Sequence, residues 1–183
     1  VGGNIYVYTN HGLLWFKMDA LKEVYGSIVV TNNLTLDTFA FPGVTEIGKH
    51  PVDLALGGNL YVTGNDLLVS FSLPKLAEVG DFLEINSNLI LDSFDLSEVT
   101  YIGSGLRILN HSSLSSFDLN AVTWVGSNIR VENNITLPQC LVDALADQIK
   151  QNGGSIGGMY HSSGNNEDCT CEETENVWTA TCP

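Results

Sequence analysis

A 23-residue pattern recurs six times along this chain and constrains its fold more than any other feature. Ile5, Ile28, Leu60, Leu83, Leu106 and Ile129 open the six units, and Val7, Val30, Val62, Ile85, Ile108 and Val131 follow two positions on. Leu13, Leu36, Leu68, Leu91, Leu114 and Leu137 share a later register. Phe16, Phe39, Phe71, Phe94 and Phe117 share the next, with Cys140 in the sixth place. Every step is 23 residues except the second, which is 32 because Lys49–Gly57 is inserted. A fixed period in this range implies units that bury their apolar faces only against their neighbours.

Each unit opens on alternation: Ile28, Val30 and Asn32 face one way, Val29 and Thr31 the other, which reads as a short strand. One such strand per unit would stack into a parallel sheet. A second apolar stretch (Leu34-Thr35-Leu36, Leu89-Ile90-Leu91) leads to the phenylalanine, and a Val/Ile before glycine closes the unit. Gly48, Gly80, Gly103 and Gly126 share that closing register, which suits a corner needing positive φ or close backbone approach; Tyr25 stands there in the first unit. The fold class expected is mainly β: a right-handed parallel β-solenoid of about six 23-residue coils over 1–137, with insertion 49–57. A C-terminal cap over 138–183 follows, made of a helix at 139–151 and a disulfide-stapled acidic tail.

A polar register crosses this apolar material: Asn10, Asn33, Asn65, Asn88 and Asn134, with His111 replacing the fifth asparagine. Stacked asparagines satisfy turn backbone groups and one another, so the row reads as a structural ladder, and the phenylalanine column as a core spine. Sequons N-x-[ST] occur at Asn33, Asn110 and Asn134. Asn33 and Asn134 belong to the ladder and are expected to turn inward. Asn110 sits one place earlier and is the sequon expected to be available, in a eukaryotic host.

From Pro138 the spacing turns helical: Leu141, Ala144, Leu145 and Ile149 on one face, Asp143, Asp147 and Lys150 on the other, ending at Gly153-Gly154. The four cysteines, Cys140, Cys169, Cys171 and Cys182, all lie in the last quarter. Two disulfides in an oxidising compartment are expected, Cys140 pairing with Cys169 or Cys171; free thiols, or a zinc site of unusual spacing, are the alternatives. Upstream, Ile5 already belongs to a full unit, so its parallel edge is open to a preceding segment or to another chain. Val177-Trp178-Thr179 in the acidic tail is a candidate strand for such head-to-tail pairing.

Net charge is −14, with seven Lys and Arg against 21 Asp and Glu, a field that repels phosphate backbones and anionic membranes. Nucleic acid and membrane insertion are therefore not expected. No apolar run approaches the roughly 20 residues of a spanning helix, and no charged-then-apolar leader opens the chain. Basic proteins, cations and neutral glycans remain as partners.

The run Gly57-Gly58-Asn59-Leu60-Tyr61-Val62-Thr63-Gly64-Asn65, then Phe71-Ser72-Leu73-Pro74-Lys75-Leu76-Ala77-Glu78-Val79-Gly80, resembles the receptor L-domain family. These are leucine-rich-repeat-like solenoids found in growth-factor receptor ectodomains and in secreted bacterial and fungal cell-surface proteins. Leu137-Pro138-Gln139-Cys140 resembles the C-terminal ends of bacterial members, and the likeness covers about Gly3 to Cys171. It implies an extracellular recognition or wall component and does not specify a ligand. No kinase, cysteine-rich module or anchor accompanies it.

Catalytic motifs are missing: no G-x-S-x-G, H-E-x-x-H, P-loop or dinucleotide fingerprint occurs, and His11, His50, His111 and His161 are scattered. No metal or cofactor is expected; Glu167, Asp168, Glu172, Glu173 and Glu175 carry no calcium-loop signature. Three functional readings follow. The first is a non-enzymatic cell-surface recognition or adhesion module binding protein or glycan through the exposed sheet face, with Tyr6, Tyr8, Val29, Tyr61, Glu84, Arg107, Arg130 and Glu132 as contacts. His50 and Asp53 of the insertion are a further candidate contact. The second is a structural subunit assembling end to end into a filament or surface layer. The third, most remote, is a β-helix polysaccharide-acting enzyme relying on carboxylates such as Glu84 and Glu132.

Overall fold

A computed structural model of the chain describes residues 1–48, 57–174 and 177–182; His50, Asp53 and Glu175 lie outside the described residues. Among the described residues the protein is mainly β, with three parallel sheets, one two-stranded antiparallel sheet and one helix. Each of the six units gives one strand to the seven-stranded first sheet, Ile5–Tyr8, Ile28–Thr31, Leu60–Thr63, Leu83–Asn86, Leu106–Leu109 and Ile129–Glu132 in that order, and Tyr160–Ser163 adds the seventh at its end. Neighbours pair in register, Ile5 with Ile28, Leu60 with Leu83, Leu106 with Ile129. The second sheet holds Trp15–Lys17, Thr38–Ala40, Ser70–Ser72 and Ser93–Asp95. The third stacks Glu23–Val24, Glu46–Ile47, Glu78–Val79, Tyr101–Ile102, Trp124–Val125 and Ser155–Ile156.

Alternation sets what each strand buries. Ile28 and Val30, Leu60 and Val62, Leu83 and Ile85, and Leu106 and Ile108 are fully buried while their neighbours face outward. Burying such a side chain contributes roughly 1.5–3 kcal/mol, so identical registers stacked unit on unit build one continuous core. The phenylalanines form its spine: successive rings from Phe16 to Phe117 stack at 5.2, 5.1, 5.4 and 6.3 Å between centroids, with planes within 13°. In the first unit, Ile5, Val7, Leu13, Phe16 and Leu21 are only partly buried.

The ladder residues Asn33, Asn65, Asn88, His111 and Asn134 are almost wholly buried. Each asparagine Oδ1 accepts from the backbone N–H of the ladder residue one unit earlier, as Asn65 does from Asn33 at 3.0 Å and Asn88 from Asn65 at 3.0 Å. Each Nδ2 reaches back to a strand carbonyl, Asn65 to Val30 and Asn88 to Val62. Among the described residues no buried side-chain polar atom lacks a partner.

Corners are made one position earlier than the ladder. Thr9, Asn32, Gly64, Ser87, Asn110, Asn133 and Gly164 all have positive φ and share that register. In the closing glycine register only Gly48 has positive φ, at 85°. Gly103 and Gly126 are there for close approach instead: a Cβ on either would sit 2.1 Å from the carbonyl oxygen of the glycine one unit earlier.

The sheets continue beyond residue 137. The helix Gln139–Gln151 buries Val142, Ala144, Leu145, Ala146 and Ile149, and lies beside Phe117 at the end of the phenylalanine column. The chain then rejoins both flanking sheets: Ile156 pairs with Val125, and Tyr160 with Ile129. Asn165 becomes a further ladder rung under Asn134, 31 residues on, and the helix residue Gln139 accepts its remaining amide proton through Oε1 at 3.0 Å. Ser163-Gly164-Asn165 repeats the corner of Thr63-Gly64-Asn65, a signal hidden by the eight extra residues of the helical excursion (31 − 23).

The tail is an antiparallel hairpin, Thr170–Thr174 with Val177–Thr181, so the segment Val177-Trp178-Thr179 is paired within its own chain. Two disulfides hold it: Cys140–Cys171, tying hairpin to helix, and Cys169–Cys182, closing the hairpin base. They close loops of 31 and 13 residues. No helix among the described residues is long and apolar enough to cross a membrane.

Candidate binding surface

Strand alternation and parallel register place two outward columns on the first sheet. One runs Tyr6, Val29, Tyr61, Glu84, Arg107, Arg130, His161; the other runs Tyr8, Thr31, Thr63, Asn86, Leu109, Glu132, Ser163. All the sheet-face residues picked out in the sequence therefore share one surface. Its two halves differ in chemistry. Tyr6 and Tyr8 are 58% and 62% exposed and meet edge to face at 6.5 Å, with half-buried Tyr61 two strands away across Val29. Glu84, Arg107, Arg130, Glu132 and His161 make the other half ionic.

The ionic half is internally ordered. Arg107 reaches across to Glu84 at 3.1 Å and lies 4.7 Å over the Phe82 ring. Arg130 pairs along its own strand with Glu132 at 2.6 Å. The hydrogen bond from Arg130 is the main cause holding the Glu132 carboxyl below its usual pKa, and Glu132 in turn raises Arg130. Burial, then the nearby Glu84 carboxylate, pushes the Tyr61 phenol up, so Tyr61 presents a neutral hydroxyl. Both pairs are open to solvent at the arginine end, at 39% and 44% side-chain exposure, and largely covered at the glutamate end.

Sequence reading missed part of this surface. His161 and Ser163 enter through the strand after the helix. Thr31 and Thr63 bond hydroxyl to hydroxyl at 2.9 Å in the middle of the face. At the strand ends Asn86, Asn110 and Asn133 form an outer amide row, Asn110 donating to Asn86 at 3.0 Å and Asn133 to Asn110 at 3.2 Å. On the third sheet, exposed Tyr101 and Trp124 stack at 6.4 Å in line with Glu23, Glu46 and Glu78. That pair stands apart from the first-sheet face.

Glu167, Asp168, Glu172 and Glu173 of the tail do not converge: among the described residues no group of three or more His, Cys, Asp or Glu is placed to hold a metal ion. Glu84 and Glu132 are occupied by arginines. One open groove on the second sheet is lined by Thr38, Ala40, Ser70, Ser72, Ser93 and Asp95. No protein-family model, curated protein or solved structure matches this chain.

Proposed function

We propose that the three sheets are the sides of a right-handed parallel β-solenoid of about six 23-residue coils, and that the chain is a non-enzymatic extracellular recognition or adhesion module of the receptor L-domain kind. Its ligand is a protein or neutral glycan at a cell surface, bound through the outer face of the first sheet. One observation carries the reading: tyrosines and paired charges from five of the six units lie on a single solvated face whose side chains the core does not need. Aromatic rings beside ion pairs are the composition of recognition surfaces. The two disulfides support an oxidising, extracellular setting.

The test is a screen of neutral glycans and basic proteins against the native chain, repeated with Tyr6→Ala/Tyr61→Ala and Arg107→Ala/Arg130→Ala. A ligand of this face loses roughly tenfold or more in affinity with one pair, at unchanged stability. Equal binding by all three proteins would reject the surface.

A second reading, end-to-end assembly, is favoured by one feature. Among the described residues, Ile5–Tyr8, Trp15–Lys17 and Glu23–Val24 are the terminal strands of all three sheets at the same end, over partly buried apolar side chains. Light scattering over a concentration series separates the two readings: growing mass supports assembly, a constant monomer supports the recognition module.

A further inference from the structure

We propose that Asn110 is the sequon that takes an N-linked glycan on the folded chain, and that the same modification at Asn33 or Asn134 stops the chain from folding. The argument is one of amide protons. N-glycosylation joins Nδ2 to C1 of the first sugar of a lipid-diphosphate donor. The bond from that carbon to the diphosphate oxygen breaks, the diphosphate leaves with the electron pair, and Nδ2 gives up one of its two protons.

Asn33 has none to spare. Its Nδ2 donates to Val7 O at 2.9 Å and to Asn65 Oδ1 at 3.1 Å, and the residue is 0% exposed. Asn134 is built the same way, donating to Ile108 O at 3.0 Å and Asn165 Oδ1 at 3.1 Å, also at 0% exposure. The sequon hydroxyls are committed too: Thr35 bonds Leu13 O at 3.1 Å and Thr136 bonds Leu114 O at 2.8 Å. A sugar on either amide removes a buried hydrogen bond and cannot be housed beside the core, so a chain modified there during synthesis cannot close its ladder.

Asn110 is arranged differently. It is exposed, it sits at a corner with φ 62°, and its sequon partner Ser112 is exposed. Its Nδ2 makes one bond, to Asn86 Oδ1 at 3.0 Å, while its Oδ1 accepts from Asn133 at 3.2 Å. The proton lost on glycosylation is therefore one the fold does not use, and both neighbouring bonds survive. The sugar would rise at the ends of the strands that carry Glu84, Arg107, Arg130 and Glu132, whatever that face binds.

The experiment is secretion of the full chain, Ser112→Ala, and Thr35→Val/Thr136→Val from a eukaryotic cell, with glycopeptide mapping of the secreted, disulfide-bonded protein. The expected result is one glycan, on Asn110, lost in Ser112→Ala. Secreted yield should rise several-fold in Thr35→Val/Thr136→Val, because chains trapped by a ladder glycan no longer arise. Folded secreted protein carrying a glycan on Asn33 or Asn134 would overturn the proposal. So would an unmodified Asn110 in secreted protein. If the native chain is wholly retained, the double variant decides: it must be secreted with a glycan on Asn110, and its retention or lack of that glycan rejects the inference.

Discussion

Replacing His111 by Asn should remove an acid-labile step from the stability of this protein. His111 is 1% exposed and fills a ladder place otherwise held by asparagine. The ring takes the amide's place: Nδ1 lies 3.3 Å from Asn88 N and 3.1 Å from Asn88 O, and Nε2 lies 3.3 Å from Ile85 O, the kind of strand carbonyl that an asparagine Nδ2 reaches. Burial pushes the imidazole pKa below its ordinary 6.5, and the carbonyls of Asn88 and Ile85 offset only part of that shift.

The sign follows from linkage. Below the unfolded pKa the unfolded chain binds a proton that the native chain does not, so stability is intact above about pH 6.5 and falls as pH drops toward the lower folded pKa. The slope approaches about 1.4 kcal/mol per pH unit within that window and vanishes below it. Urea unfolding of the native protein and His111→Asn at about pH 7.5, 6.5 and 5.5 measures it directly; the carboxylates titrate in both, so the difference isolates His111. Asparagine should match the native stability at neutral pH within about 1 kcal/mol and retain more of it at the acid end. Parallel losses in the two proteins would refute the reasoning.

Three further outcomes are expected. Asn65→Leu leaves the Asn33 N–H and amide and the Val30 carbonyl without their buried partner and should cost roughly 2–5 kcal/mol in urea unfolding; a loss under about 1 kcal/mol would mean the ladder is ornamental. Gly126→Ala drives a Cβ into Gly103 O and should destabilise by roughly 1–3 kcal/mol or more, whereas Ala at Gly12, where nothing lies within 4 Å, should be near neutral. Reducing both disulfides should lower stability by roughly 3–4 kcal/mol for each closed loop, read from the shift in urea midpoint between oxidised and reduced protein.

Much of the β architecture was legible because a parallel register rewards identity: the residue that fits one unit fits the next, so the opening aliphatic pair and the later leucine recur six times, the phenylalanine five times and the closing glycine four times. The helix was legible for a related reason, its apolar spacing changing period at Pro138. Hidden from that reading was the return after it. Tyr160–Ser163 and Asn165 keep the register only once the helix stands in for the excursion between Leu137 and Ile156. The positive-φ corner escaped for another reason: Thr9, Asn32, Gly64, Ser87, Asn110 and Asn133 share a backbone conformation but not a side chain.

The candidate face was half legible. Period two and period 23 suffice to put Tyr6, Tyr61, Arg107 and Arg130 on one side of a sheet, since both follow from backbone geometry alone. Which charges pair with which does not follow, because Arg107 turns across strands to Glu84 while Arg130 turns along its own strand to Glu132. By itself the sequence determined the repeat, the buried registers and the charge, all properties carried by residue type at a fixed spacing. Only the tertiary structure decided the cysteine partners, the final ladder rung at Asn165 and the free amide proton of Asn110, because each depends on where segments far apart in the chain come to rest.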